Sequence, residues 1–183
     1  MIRRLLLLMA LLTGLPAVAG QDDPRLGALF QRLHEARDPA EAATAESLIW
    51  SIWLSYTGDV DDVRLLMRRG VEAMNANSLI QAENLFTEVT ELAPDFAEGW
   101  NRRATVRYMR GDYAGSIADI QATLALEPRH FAALSGLGLC YAELDQLERA
   151  IAAFEAALEI NPHMSGARAN VERLQELLEG EPI

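Results

Sequence analysis

The residue types that most often carry chemistry in proteins are few and widely separated in this sequence. The histidines are His34, His130 and His163, and the single cysteine is Cys140. A lone cysteine excludes an internal disulfide and a thiolate metal site, and we expect its thiol to be buried and inert. No phosphate-binding loop, nucleophile elbow or dinucleotide fingerprint appears. The sequence therefore predicts no catalytic residues, no metal site, no cofactor and no enzymatic activity.

The charged residues favour a protein or peptide partner and exclude nucleic acid. The chain has 183 residues, with 16 basic and 27 acidic side chains and a formal net charge of −11. This charge has the wrong sign for binding through phosphate neutralisation. All 16 basic residues are arginines, whose planar guanidinium groups pair bidentately with carboxylates.

Residues 1–19 have the pattern of a signal peptide. Arg3 and Arg4 precede an apolar stretch over 5–12, and the segment ends with small residues at Ala17 and Ala19. The segment is shorter than the roughly 20 apolar residues that span a bilayer. We therefore expect cleavage after Ala19, a periplasmic or secreted location, and no stable membrane insertion after cleavage.

Three prolines mark an internal repeat. Pro94, Pro128 and Pro162 lie 34 residues apart, a period that indicates stacked helix pairs. Numbering each unit so that its proline is position 32 gives units at residues 63–96, 97–130 and 131–164. Because no helix pair can bury its apolar face alone, neighbouring pairs must stack and share one core.

The third unit resembles the tetratricopeptide repeat. The residues at the signature positions of that family are Leu134, Leu137, Gly138, Tyr141, Ala150, Phe154, Ala157 and Pro162. In the second unit Arg103 and Arg107 stand at the signature Leu and Tyr positions. The resemblance covers residues 63–164 and implies an all-α solenoid of antiparallel helix pairs that form a right-handed superhelix.

The flanking residues predict further helices. Residues 20–62 predict a helical hairpin, with helices over 24–37 and 39–56, which we interpret as a divergent repeat that caps the first unit. Residues 165–183 predict an amphipathic C-terminal capping helix. The hairpin contains Trp50, Trp53 and Tyr56 in a stretch that is apolar nearly all round. Packing against the first repeat is one interpretation of these aromatic residues, and a partner or dimer face is the other.

The resemblance implies that the first helices line a concave peptide-binding groove. The candidate groove residues in the first two units are Arg64, Met67, Arg68, Met74, Asn101, Arg102, Thr105, Tyr108 and Met109. In the third unit the groove positions carry Ala132, Ser135, Gly136, Leu139, Ala142 and Glu143. Arginines suit an acidic ligand, and methionines adapt to its shape. The alternative is that the arginines pair internally with Glu72, Glu98, Asp95 and other acids.

The two-carboxylate clamp of the family does not carry over to this chain. That clamp needs Lys and Asn where Met67 and Val71 stand, and basic residues where Ala132 and Gly136 stand. Binding of chaperone tails is therefore not expected.

The sequence predicts an exported protein-interaction module or scaffold that binds an acidic or amphipathic peptide in its groove. The alternative is a structural or assembly factor of an envelope complex, which self-associates or docks through the aromatic hairpin. The oligomeric state is not indicated by the sequence.

Overall fold

A computed structural model describes residues 20–56 and 61–180, and the elements in these ranges are helical. A short 3₁₀ turn at Gly20–Asp22 comes first. The helices are α1 (Leu26–Glu35), α2 (Pro39–Trp53), α3 (Asp61–Asn75), α4 (Leu79–Leu92), α5 (Ala97–Met109), α6 (Tyr113–Leu126), α7 (Phe131–Glu143), α8 (Leu147–Ile160) and α9 (Ser165–Gly180). None of these helices is long and apolar enough to cross a membrane. The predicted signal peptide at 1–19 lies outside the described residues.

The pairs α3–α4, α5–α6 and α7–α8 follow the 34-residue period. The turn inside each pair contains one residue with a left-handed backbone, always at position 15 of the unit: Asn77, Gly111 and Asp145, with φ of 57°, 78° and 56°. Gly adopts this conformation without steric cost, and Asn and Asp tolerate it. The three turns are therefore equivalent although their residues differ.

Positions 8 and 24 of each unit bring the two helices of a pair into close contact. A Cβ atom on Gly70 would lie 2.5 Å from the Phe86 ring, and one on Gly138 would lie 2.8 Å from the Phe154 ring. In the middle unit Ala104 stands at position 8, and the smaller Ile120 stands at position 24. A phenylalanine at position 24 thus requires a glycine at position 8.

We expect Gly138→Ala to lower the free energy of unfolding by about 1–3 kcal/mol, because the new methyl group collides with the Phe154 ring. Adding Phe154→Ile copies the Ala–Ile pair of the middle unit and should restore most of the loss. Urea denaturation of both variants measures the effect. Gly166→Ala, in open space on α9, is the control for helix propensity. Equal stability of Gly138→Ala and Gly166→Ala would contradict the steric explanation.

The N-terminal hairpin α1–α2 does not stack on the first repeat, which corrects the interpretation of residues 20–62 as a cap for that unit. Its core residues, among them Leu26, Leu33 and Ile49, instead form one cluster with Phe131 at the start of α7. Ile160 and Met164 pack against the same cluster. The hairpin therefore lies along the edge formed by the loops between repeats.

The exposed end of the first repeat differs from the matching face of the third repeat. Positions 3 and 10 of the third unit are Ala133 and Cys140, which are buried against the preceding repeat. The same positions of the first unit are Leu65 and Glu72, and both side chains are exposed. Glu72 makes this face of α3 more polar than the matching face of the third repeat, although the apolar Leu65 is also exposed there.

Contacts along this edge reach all three repeats. The Gln21 amide donates to the Asp95 carbonyl, and Tyr56 packs against Phe96 with the ring centroids 5.1 Å apart. The Arg129 guanidinium lies over the Phe30 ring, 4.4 Å from its centroid. At the far end, Asn161 donates to Glu46, and the His163 ring N–H donates to the carbonyl of Leu33. At the other face of the third repeat, α9 packs on α8 through Ala167, Val171 and Leu174.

Candidate functional site

The concave face contains a cavity of about 220 Å³ between α5 and α7. Its lining residues are Asn101, Ala104, Thr105, Tyr108, Ser116, Ile120, Ala132, Ala133, Ser135, Gly136, Leu139 and Met164. Most of these side chains are small or apolar, and the polar ones are uncharged. The cavity can therefore take an apolar group and offer it a few hydrogen bonds at the edges.

The structure brings part of the predicted groove together around this cavity. Of the candidates in the second unit, Asn101, Thr105 and Tyr108 line it. Four groove positions of the third unit also line it: Ala132, Ser135, Gly136 and Leu139. Sequence reasoning missed the other five lining residues, which are Ala104, Ser116, Ile120, Ala133 and Met164. The signal that was available is the small residues at positions 8 and 20 of the middle unit, Ala104 and Ser116, which leave space beneath the groove.

The other predicted groove residues lie outside the cavity. Met67 and Met74 pack against the core of the first repeat, so they act mainly as core residues. Met109 is 47 % exposed, and the side chains of Arg64 and Arg68 are exposed on α3. The cavity is therefore apolar, whereas the basic part of the groove is on the first repeat.

Arg102 is held by a buried carboxylate. Its Nε lies 2.6 Å from Glu98 Oε1, and the Glu98 side chain is fully buried. The N–H of Arg102 does not point at this oxygen, so the contact is an ion pair without a good hydrogen bond. The second oxygen, Glu98 Oε2, accepts from the Asn101 amide at 2.9 Å and from His130 Nε2 at 3.1 Å. Internal pairing with an acidic residue is the alternative hypothesis for the groove arginines, and the structure shows such a pair between Arg102 and Glu98.

His130 is fixed by two hydrogen bonds. Its Nδ1 accepts from the backbone N–H of Ala133 at the start of α7, so Nε2 carries the proton that is donated to Glu98. Burial raises the pKa of Glu98, but the hydrogen bond from His130, the charge of Arg102 and the hydrogen bond from Asn101 outweigh burial and hold this pKa below its ordinary value of 4.5.

This lowered pKa predicts a loss of stability in acid. A carboxyl group with a lower pKa in the folded state stabilises the fold above its unfolded pKa, and that contribution disappears as the pH falls through the folded pKa. We expect the stability difference between the native chain and Glu98→Gln to be largest near about pH 6 and to shrink towards about pH 3. Urea denaturation across this range measures it. A difference that stays constant with pH would contradict the assignment to Glu98.

Comparisons with known proteins identify the architecture. The family model for the tetratricopeptide repeat matches residues 67–122 and 110–165. A TPR repeat-containing protein of Rhizobium etli is 35 % identical over 156 residues, which cover 85 % of this chain and 76 % of the relative. This chain belongs to the tetratricopeptide-repeat family.

Solved structures share the fold at low sequence identity. The first TPR domain of Spaghetti (RPAP3), solved with an HSP90 peptide, superposes with a TM-score of 0.64 at 20 % identity and covers 67 % of this chain and 97 % of that domain. MamA superposes with a TM-score of 0.62 at 20 % identity and covers 87 % of this chain and 84 % of that protein. The predicted all-α TPR solenoid is confirmed.

The middle TPR replaces two signature residues by a buried ion network. Arg103 stands at the Leu position and donates from Nε and Nη2 to the two oxygens of Asp119, at 2.9 and 2.8 Å. Arg107 stands at the Tyr position, and its Nη1 lies 3.0 Å from the same carboxylate. Arg107 Nε also donates to Glu83 on α4 at 3.0 Å, and Arg110 pairs with the same Glu83. Arg107 and Arg110 join the second TPR to the first through Glu83, and all three arginines already have carboxylate partners within the chain.

The aromatic residues of the hairpin are used within the TPR protein itself. The Trp53 indole is 2 % exposed and stacks on the His130 ring, with centroids 4.1 Å apart and planes 7° apart. Tyr56 is buried against Phe96, and Trp50 is half-buried with its edge against His130. A partner or dimer face that presents Trp53 and Tyr56 is therefore wrong, because their apolar surface is already covered by the repeats.

Cys140, His130 and His163 belong to residue types that often carry chemistry, but each contacts a group of the same chain. Cys140 is buried as predicted, beside the Ser116 hydroxyl at 3.3 Å, and burial raises the pKa of its thiol. His130 and His163 lie on the same edge of the TPR solenoid, where each is bonded to a group in the same chain. No group of three or more metal-ligating side chains occurs in the residues that the structure describes.

Proposed function

We propose that this chain is an exported interaction protein that binds a peptide segment in its concave groove. The observation that carries this proposal is the apolar cavity between α5 and α7, with Asn101, Thr105 and Tyr108 along one side. A cavity of this kind takes one apolar side chain of a ligand, while uncharged polar groups at its edge fix the ligand backbone.

Other TPR domains support a peptide ligand. The first TPR domain of Spaghetti is bound to the HSP90 peptide SRMEEVD, and the TPR2B domain of yeast Sti1 is in complex with pHsp70. In the present chain Ala132 and Gly136 stand where the family clamp has basic residues. We therefore propose an apolar anchor in the cavity in place of a clamped terminal carboxylate.

The charges of the groove support acidic residues beside this anchor. Arg64 and Arg68 are exposed on α3, at groove positions of the first repeat. Arginine pairs bidentately with carboxylates. The proposed ligand is thus an amphipathic acidic segment, with an apolar side chain at the second and third repeats and carboxylates towards the first.

Filling the cavity tests this proposal without weakening the fold. A Cβ atom on Gly136 would make only an ordinary contact, 3.5 Å from Ile120 Cδ1, and leucine is a better helix former than glycine. We expect Gly136→Leu to fold at least as stably as the native chain and to bind at least about tenfold more weakly, because the anchor loses its burial. The probes are fluorescein-labelled decapeptides with one leucine among Asp and Glu residues, measured by fluorescence anisotropy.

The matched control is Gly166→Leu, at an exposed position of α9 with open space around it, which should leave binding unchanged. An analogue of the probe with Asn and Gln in place of Asp and Glu should bind more weakly, and Arg64→Gln/Arg68→Gln should remove that difference. Absence of saturable binding up to about 1 mM would overturn the proposal. Equal affinities of Gly136→Leu and the native chain would show that the peptide does not bind in the cavity.

Export is the part of the proposal that depends on residues 1–19. We propose a periplasmic or secreted protein that begins at Gly20 after cleavage. Cell fractionation followed by N-terminal sequencing tests this. An intact chain that begins at Met1 in the cytoplasm would overturn it. Catalysis is not part of the proposed function, and self-association through the hairpin has lost its main support because Trp53 and Tyr56 are buried.

A further inference from the structure

A continuous set of buried contacts leads from the N-terminal hairpin to the groove. Trp53 on α2 stacks on His130, and His130 donates to Glu98. Glu98 in turn holds Asn101, which lines the cavity, and Arg102, which lies next to it on the same helix. The side chains of His130 and Glu98 are fully buried. The hairpin thus covers one end of this set, and groove residues form the other.

The hairpin also forms part of the surroundings of the cavity. Ala132 and Met164 pack against the hairpin cluster, and both residues line the cavity. The hairpin therefore contacts the surroundings of the groove at two places, directly at Ala132 and Met164 and through His130 at Glu98.

The state of Arg102 depends on how well Glu98 is shielded from water. The attraction between two charges is several times stronger in a desolvated site than in water. The Arg102 side chain is still 22 % exposed, while its partner is fully buried. The ion pair has no well-aligned hydrogen bond, so its strength depends on how far Glu98 is shielded from water.

We propose that the docked hairpin withholds Arg102 from acidic ligands, and that release of the hairpin frees Arg102 to bind them. This inference rests on the proposed groove function. The positioning residues in this proposal are Trp53, His130 and Glu98, which act on the ligand through Arg102. When the hairpin leaves, water reaches His130 and Glu98, the ion pair weakens, and a ligand carboxylate can replace Glu98 as the partner of Arg102.

Binding of the acidic decapeptide tests whether pairing with Glu98 withholds Arg102 from the ligand. Glu98→Gln keeps the side-chain size and a hydrogen-bond acceptor for His130, but it removes the counter-charge of Arg102. We expect about fivefold tighter binding of the acidic probe and unchanged binding of its Asn/Gln analogue. The double variant Glu98→Gln/Arg102→Gln should lose the gain. Native affinity in Glu98→Gln, or a gain that persists in the double variant, would overturn the proposal.

Variants that release the hairpin test whether its docking controls Arg102. Trp53→Ala should shift the acidic probe in the same direction as Glu98→Gln. Phe30→Ala loosens the hairpin at its contacts with Arg129 and Trp53, and should have the same effect. Tighter binding in Glu98→Gln but in neither hairpin variant would overturn the role of the hairpin while leaving the proposed groove function intact.

A measurement without ligand separates this proposal from the proposed function. NMR can follow the exchange of the Arg102 Nε–H with solvent in the native chain and in the two hairpin variants. We expect exchange to be at least about tenfold faster when the hairpin is released, as for a group that opens locally. Unchanged exchange, with α2 shown by its own amide exchange to be undocked, would overturn the coupling even if no peptide binds any variant.

Discussion

Asp119→Ala is expected to lower the free energy of unfolding by about 3–5 kcal/mol, because it leaves buried arginine charge without its partner. Asp119 is 3 % exposed at its side chain and Arg103 is 10 % exposed. The Arg103 fork then keeps one hydrogen bond to Thr90 and one to Thr87, while Arg107 still reaches Glu83. Urea denaturation followed by circular dichroism measures the loss.

The third repeat supplies the control for this prediction. At the positions of Arg103, Arg107 and Asp119 it carries Leu137, Tyr141 and Ala153. The triple variant Arg103→Leu/Arg107→Tyr/Asp119→Ala therefore replaces the whole ion network by residues that already pack together in this chain. We expect it to recover most of the lost stability, since apolar replacement of a complete buried network is often neutral or stabilising. A triple variant as unstable as Asp119→Ala would show that the arginines also stabilise the repeats through their other contacts.

Trp53→Ala is expected to cost about 3–5 kcal/mol of hairpin docking, which is typical for removal of a large buried aromatic side chain. Trp53 packs on His130 and also contacts the Phe30 and Phe131 rings, with centroids 5.8 and 5.1 Å away. We expect the amides of α1 and α2 to exchange with solvent much faster, while those of α5 to α8 stay protected. Hydrogen exchange followed by mass spectrometry resolves the two parts of the chain.

Leu48→Ala is the matched control for Trp53→Ala. Leu48 lies on the same helix but is 43 % exposed, and a surface substitution of this kind changes stability by no more than about 0.5 kcal/mol. Equal protection of α1 and α2 in Trp53→Ala and Leu48→Ala would contradict the central role of the Trp53–His130 stack. A uniform loss of protection in every helix would instead mean that the hairpin and the repeats form a single unfolding unit.

The repeats could be predicted from the sequence because their information is local and periodic. Proline at position 32 and small residues at positions 8 and 20 recur every 34 residues, and the helix pairs follow that register. The groove positions of the third unit were also predictable, since the resemblance fixes which face of each first helix is concave. Four of them line the cavity, together with Asn101, Thr105 and Tyr108.

The position of the hairpin was not predictable in the same way. Its contacts join residues far apart in the chain, such as Gln21 with Asp95, Glu46 with Asn161, and Leu33 with His163, which are separated by 74, 115 and 130 residues. No period encodes such pairs. Apolar patterning showed that α2 must be buried, but it did not show which surface buries it.

The ion-pair partners of the arginines could be predicted from the sequence only in part. A basic residue at a signature Leu position indicates either a surface or a buried partner, and the sequence alone did not decide between them. The available signal was position 23, where the middle unit has Asp119 and the other units have Leu85 and Ala153. An acid on the apolar face of a second helix, opposite two arginines on the first, indicates a buried pair.

The placement of the hairpin also sets an order of events during synthesis. Helices α1 and α2 are the first of the described α-helices to be made, but the surface that buries them includes Ile160, Asn161 and Met164, which come at the end of the third repeat. Until then α2 packs on α1, but the part of its apolar surface that contacts the third repeat is uncovered. Repeats with neighbouring contacts can fold as they appear, whereas the hairpin waits for the end of the third repeat. The aromatic stretch around Trp53 therefore needs protection from aggregation while the protein is being made.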